Sequence, residues 1–242
     1  MPDFRSYYPD LAAAAGQLTL DPEESHHLVT TNRAREGAPV IVFDGKGLEA
    51  SCTLETADKR GAALLVGERR QFPHMAPQVT LFQAIPKGKS IENIIRQATE
   101  LGVTAIQPMV TRYTQVNYDN KAPAKKQAKW LLHALEGCKQ SGNPWLPTLH
   151  EPVSFAEALS NLSQYTRKLV GALPLEPRPW TTLGLTPDDN IAVAIGPEGD
   201  FSEDEYTRLT ELGFEAVSLG PHVLRCETAA ISMLSLVMAT VA

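Results

Sequence analysis

The chain has 242 residues, 43% of them hydrophobic, which suits one large or two small domains with a proper core. Its net charge of −6 argues against a generally basic nucleic-acid binder. No apolar run approaches the roughly 20 residues of a membrane span, the opening MPDFRSYYPD lacks a signal-peptide pattern, and Cys52, Cys138 and Cys226 show no CxxC spacing, so the expectation is a reducing cytoplasm without membrane, disulfide or metal.

The charge is unevenly spread. Residues 1–75 carry 8 Lys/Arg against 11 Asp/Glu. Residues 76–150 carry 9 against 4, a net of +5, and residues 151–242 carry 5 against 13, a net of −8. If RNA is the partner, the middle third is the expected footprint, because phosphate contact wants local positive charge.

Residues 1–72 read as β-rich. Asp21-Pro22-Glu23-Glu24 opens a short helix before His26-His27-Leu28. Val40–Phe43, the turn Asp44-Gly45-Lys46-Gly47 and the alternating Leu48–Leu54 predict a hairpin. Ala62–Val66 predicts a further strand, and so many short strands suggest a small barrel. Gln71-Phe72-Pro73-His74-Met75-Ala76-Pro77 is the linker candidate, held extended by its prolines.

From Val79 the pattern becomes strand–helix alternation. Val79–Ile85 predicts a strand. Ser90 is placed to cap a helix with Ile91, Ile94, Ile95, Ala98 and Leu101 on one face, closed by Gly102. Val103–Val110 predicts a strand. Ala124 to about Lys139 predicts a helix with Ala128, Leu131, Leu132, Leu135 and Cys138 on one side and Lys121, Lys125, Lys126 and Lys129 on the other. That lysine face is either a solvated surface or, beside Arg112, Tyr113, Tyr118 and Trp130, an RNA contact. Ser154 and Glu157 form a capping box, Lys168–Leu173 predicts a strand, and a Pro-rich loop follows to Pro177. Such alternation predicts an α/β domain with a mostly parallel sheet.

Ile191–Ala230 is the most informative stretch. Ile191–Ile195 reads as a buried strand, broken by Gly196-Pro197-Glu198-Gly199. Ser202 with Glu205 is a capping box, so a helix starts near Glu203 and ends at Gly213. Phe214–Leu219 reads as a second strand, turned by Gly220-Pro221 before a last apolar helix over 229–242, which is core, subunit interface or both. Side by side, two parallel strands would bring both Gly-Pro loops to the sheet edge where α/β folds hold ligands. Glycines there let backbone groups approach a ligand, and backbone donors and acceptors can read an adenine edge. Two ordinary strand-to-helix turns are the alternative. A rival motif is Pro86-Lys87-Gly88-Lys89-Ser90, which has the strand-to-helix context of a phosphate loop and would suit a phosphotransferase. That pattern needs a glycine where Gln83 stands.

Gly196-Pro197-Glu198-Gly199-Asp200-Phe201-Ser202 followed by Leu219-Gly220-Pro221-His222-Val223-Leu224-Arg225-Cys226-Glu227-Thr228-Ala229 closely resembles the RsmE-type 16S rRNA (uracil-N3)-methyltransferases of the SPOUT superfamily. Thr99-Glu100-Leu101-Gly102-Val103 and Gln140-Ser141-Gly142 resemble further blocks of that family. His27-Leu28 with Asn32-Arg33, and Phe43-Asp44-Gly45-Lys46-Gly47, resemble its PUA-like domain. Asn32, Gln97 and Asn143 depart from the family pattern. The resemblance implies a PUA-like RNA-binding β-barrel over 1–72 and an α/β methyltransferase domain over 77–242 with a deep trefoil knot. It implies S-adenosylmethionine as cofactor, a uridine in the decoding region of 16S rRNA of the small ribosomal subunit as substrate, and a homodimer through the C-terminal domain. Leu173, Gly196, Glu198, Gly199, Leu219, Gly220 and Leu224 become the expected cofactor residues. Arg225 is the expected catalytic or substrate-orienting residue, with an ion pair to Glu227 or Glu198 as the alternative, and Glu198 is a weaker candidate for proton acceptor. Arg33, Lys87, Lys89, Arg112, Lys125, Lys126 and Lys129 become the RNA candidates. A non-catalytic RNA-binding module on the same fold is the alternative that intact cofactor loops disfavour.

Overall fold

A computed structural model describes residues 4–114, 123–171 and 177–241. Leu173, Tyr118 and Lys121 lie outside them. The chain divides into two compact units, residues 1–74 with 138–146, and residues 75–137 with 147–242.

The first unit is built on five strands: β1 (Phe4–Tyr7), β2 (Gln17–Thr19), β3 (Pro39–Phe43), β4 (Leu48–Thr56) and β5 (Ala63–Gln71). They form one sheet in the order β1-β3-β4-β5-β2, antiparallel except for the β1–β3 pair. Leu11, Leu28, Val40, Val42, Leu54 and Leu64 fill its core. Asp44 closes the expected hairpin by accepting the N–H groups of Lys46 and Leu48 at 2.7 and 3.0 Å, a side-chain mimic of a backbone turn. Asp21 caps helix α1 (Pro22–His26) by accepting from Glu23 and Glu24 N–H. Residues 138–146 belong to this unit because they knit into that hairpin. Gly47 N–H donates to the Pro144 carbonyl, Leu146 N–H donates to the Gly45 carbonyl, and Lys139 pairs with the buried Glu24. Asn143, buried, shapes the segment by accepting from Trp145 N–H at 2.9 Å.

The second unit carries β6 (Gln78–Ala84), α2 (Ser90–Glu100), β7 (Ala105–Val110), α3 (Pro123–Ser141, whose last turn joins the first unit), β8 (Thr148–Leu149) and β9 (Val153–Ser154). It continues with α4 (Phe155–Ala158), β10 (Arg167–Gly171), β11 (Asn190–Ile195), α5 (Glu203–Glu211), β12 (Glu215–Val217) and α6 (Cys226–Val241). The sheet runs β12-β10-β11-β6-β7-β8 with β9 also on β7, and every pairing is parallel. Val79, Leu81 and Phe82 of β6 and Ile191–Ile195 of β11 are buried without alternation, as strands covered on both faces require.

Four expectations need correcting. The strands bearing the two Gly-Pro loops are not neighbours: β10 lies between β11 and β12 and pairs with both. Ser90 is the first residue of α2 rather than its cap, and Lys89 in the capping position makes no side-chain cap bond. The last helix starts at Cys226. On α3 Leu135 and Cys138 are buried as expected, together with Trp130, Ala134 and Gly137, whereas Leu131 and Leu132 are 36% and 43% exposed and Ala128 faces out. Close approach decides that face: a Cβ on Gly137 would stand 2.6 Å from the Arg96 carbonyl of α2.

Candidate functional site

A cavity of about 470 Å³ opens where β10, β11 and β12 end, a size typical of small-molecule sites. Its walls come from three places. Gly171 stands at the end of β10, Gly196-Pro197-Glu198 and Asp200 follow β11, and Val217–Gly220 with His222–Cys226 link β12 to α6. Parallel strands deliver their carboxyl ends to one edge, so chain-distant loops converge there.

Glycine and one strained aspartate shape the β11 loop. A Cβ on Gly196 would stand 2.9 Å from Asp200 Oδ1, so only glycine lets the loop close this tightly. Asp200 adopts φ +60°, a left-handed conformation that aspartate tolerates better than most residues. Its carboxylate accepts from Phe201 N–H at 2.9 Å and from the Tyr206 hydroxyl at 2.7 Å. Burial first, then this bond to Asp200, pushes the Tyr206 phenol further up from its ordinary range. The expected capping box is present: Ser202 Oγ accepts from Glu205 N–H, and Glu205 accepts in return from Ser202 N–H. Gly220 in the second loop adopts φ +121°, which side-chain-bearing residues avoid.

Of the residues expected at the site, Gly196, Glu198, Leu219, Gly220, Leu224 and Arg225 line this cavity together. Gly199 does not; it faces a shallow depression with Arg112, Tyr113 and Thr114. Arg225 is exposed, and among the described residues its guanidinium makes no ion pair with Glu227 or Glu198. Glu198 Oε1 accepts the Lys87 N–H at 2.9 Å. Cys226 is buried at the cavity floor, and burial with a bond to Glu227 pushes its thiol up to about 12, which suits a packing role. The signals missed were Gly171 and Asp200.

The RNA candidates scatter. Arg33, in the first unit, is exposed with φ +58°. Lys87, Lys89, Arg112 and Lys125 are exposed in the second, and Lys126 is partly buried. Lys129 is engaged by Glu92 at 2.6 Å, and that bond holds the Glu92 carboxyl below its usual range. The phosphate-loop reading fails on geometry: Gln83 sits fully buried within β6, so no cradle begins there.

The cavity has the size and mixed lining of a site for a small organic ligand. Gly171, Gly196 and Gly220 and the apolar Ile195, Val217, Leu219 and Leu224 line it beside the charged Glu198, Asp200 and Arg225.

Comparison with known proteins agrees. The RNA methyltransferase domain family matches residues 74–238, and the RNA methyltransferase PUA domain family matches residues 20–66. The ribosomal RNA small subunit methyltransferase E of Bacillus subtilis is 31% identical over 231 residues, covering 91% of this chain and 89% of its own. Its namesake from Mycobacterium bovis is 32% identical, covering 92% and 85%. Among solved structures, a Legionella pneumophila methyltransferase in complex with bound SAM is 32% identical with a TM-score of 0.92, over 99% of this chain and 98% of that one. The Neisseria gonorrhoeae ribosomal RNA small subunit methyltransferase E, bound to S-adenosyl methionine, is 27% identical with a TM-score of 0.88, over 98% of both chains.

Proposed function

On the premise that this chain belongs to the ribosomal RNA small subunit methyltransferase E family, we propose that it transfers a methyl group from S-adenosylmethionine to N3 of one uridine in the decoding region of 16S rRNA. The observation that carries this reading is the cavity where Gly196–Glu198 and Leu219–Arg225 meet at the ends of parallel strands. In this reading residues 1–72 are an RNA-binding PUA-like barrel, and residues 77–242 are a SPOUT domain with a trefoil knot that pairs into a homodimer.

S-adenosylmethionine, when bound, supplies an electrophilic methyl on sulfur. Everything else falls to the chain. Backbone groups of Gly196, Leu219, Gly220 and Leu224, with Leu173, hold the cofactor, and in-line placement is the main catalytic contribution. Uracil N3–H is weakly acidic and engaged in base pairs, so the base must be unpaired and its proton must leave before or during attack. Arg225 steadies the uracil oxygens as negative charge spreads onto them; its place at the cavity, with no ion pair among the described residues, supports that role. Glu198, with one oxygen occupied by the Lys87 amide, presents the other as a proton acceptor; water is the second acceptor available. Bond accounting is simple: N3–H and S–CH3 break, N3–CH3 forms, and the proton passes to Glu198 or solvent.

The test is nucleoside analysis of small ribosomal subunits lacking the modification, after incubation with this protein and S-adenosylmethionine. The expected product is 3-methyluridine at one position. Methylation at carbon, at ribose or at a different base would overturn the N3 assignment, and no methylation of any RNA would overturn the activity.

A further inference from the structure

The turn Thr111–Thr114, directly after β7, is held by more bonds than a surface connection needs. Thr111 N–H donates to Thr114 Oγ1 at 3.0 Å, the two hydroxyls lie 2.9 Å apart, and Thr114 N–H donates back to the Thr111 carbonyl at 3.2 Å. Arg112 N–H donates to Glu205 Oε1 at 2.8 Å, so the capping glutamate of α5 also fixes this turn. The Tyr113 stem lies against the cofactor-side loop so closely that a Cβ on Gly199 would stand 2.9 Å from Tyr113 Cβ. The turn's two large side chains, by contrast, end in the open. Tyr113 is 48% exposed, Arg112 is exposed, and neither side chain has a hydrogen-bond, ion-pair or ring partner among the described residues. With Thr114 and Gly199 they line a shallow depression of about 400 Å³. The same loop, through Gly196–Glu198 and Asp200, walls the cavity already described.

We propose that Tyr113 is a stacking platform for one unpaired base of the RNA substrate, with Arg112 meeting an adjacent phosphate. The proposal rests on the methyltransferase reading above and deepens it by naming where the strand lies. A rigidly held aromatic face beside a cation is the general device for gripping single-stranded nucleic acid without reading its sequence. A uridine presented at N3 has left its own stack, and a platform one loop away compensates for lost stacking where the strand enters. The stretch of sequence that contains the turn, residues 76–150, carries 9 Lys/Arg against 4 Asp/Glu, a balance that suits RNA better than a basic protein partner.

The test compares wild type with Tyr113→Ala, Tyr113→Phe and Arg112→Ala in three measurements: binding of a short fluorescent oligouridylate, binding of S-adenosylmethionine by calorimetry, and methyl transfer to small subunits. Tyr113→Ala is expected to weaken oligouridylate binding about 5- to 150-fold, the range of one base–aromatic stack, with cofactor affinity unchanged. Tyr113→Phe restores RNA binding, since the ring face is kept. Arg112→Ala reduces the slope of log affinity against log salt by about one phosphate contact. Unchanged RNA binding in Tyr113→Ala overturns the platform and points to a protein partner instead. A parallel fall in cofactor affinity also overturns it, because Tyr113 would then merely prop Gly199. The two readings fail separately. Wild type that binds RNA through Tyr113 yet methylates none sinks the activity alone. Wild type that methylates its subunit while Tyr113→Ala does so equally well sinks the platform alone.

Discussion

Asp200 concentrates the local physics of the site. It holds a left-handed backbone that costs other residues about 1 kcal/mol or more, and its carboxylate is secured by Tyr206. Tyr206→Phe removes that bond while keeping the ring, and is expected to cost about 1–2 kcal/mol of stability and to raise the KM for S-adenosylmethionine more than it lowers kcat. An unchanged KM would detach Tyr206 from the cofactor loop. The thiols give a second prediction at this scale. Burial pushes Cys52 up and takes Cys138 and Cys226 to about 12. The folded chain therefore keeps thiol protons that the unfolded chain releases near pH 8.5, so their stabilising effect is complete below that pH and is lost as pH rises toward about 12. Native protein at pH 8 should resist iodoacetamide at all three cysteines, all of which are buried, and unfolded protein should be labelled at all three; rapid native labelling of Cys226 would contradict its packing role. Gly-Pro punctuation flagged the two loops in the sequence, but Gly196, Glu198, Leu219, Gly220, Leu224 and Arg225, which line one cavity, were named only through the family resemblance. Asp200 was not, since its part depends on a φ angle and on a phenol six residues away.

Among the elements, β11, α5 and the hairpin β3–β4 follow from apolar runs, a capping box and an Asp-Gly turn, each a local signal. Two misreadings have a common cause, which is that neighbours in space are not written in the sequence. β10 intervenes between β11 and β12 because parallel strands need crossovers, and nothing local says where a crossover returns. Helix α3 scatters its apolar residues around the axis, with Trp130, Leu131 and Leu132 in succession, so periodicity could not choose a face. Packing of Gly137 on α2 and burial of Trp130 chose it instead. The outward lysines are therefore not equivalent. Lys129 is engaged by Glu92, whereas Lys125 is exposed and makes no ion pair among the described residues. In a salt-dependence titration with RNA, Lys125→Ala should reduce affinity more than Lys129→Ala; the reverse order would contradict the withholding of Lys129 by Glu92, and no effect of either would contradict an RNA role for this face.

At the scale of the whole molecule, the chain crosses between its two units more often than its composition suggests. The first division between the units, at residues 74 and 75, falls within the proline-marked stretch 71–77. The excursion of residues 138–146 was not legible, because it begins inside a helix and is marked only by Gly142 and Asn143. A fragment spanning residues 77–242 would strip Lys139 of Glu24 and leave Trp145 without the Pro73 carbonyl that accepts its indole N–H. Its melting temperature should fall well below that of the full chain, and an equal value would show that 138–146 needs no partner. The central claim, that the cavity at the ends of β10, β11 and β12 is a methyl-transfer site for rRNA, is tested most directly by the rate of labelled methyl transfer from S-adenosylmethionine to small ribosomal subunits, with wild type and Arg225→Ala in parallel. The expected result is transfer to a single uridine N3, slowed on the order of 100-fold or more in the variant while cofactor binding persists. Cofactor binding with no transfer to any RNA, or equal rates in the two proteins, would contradict the account.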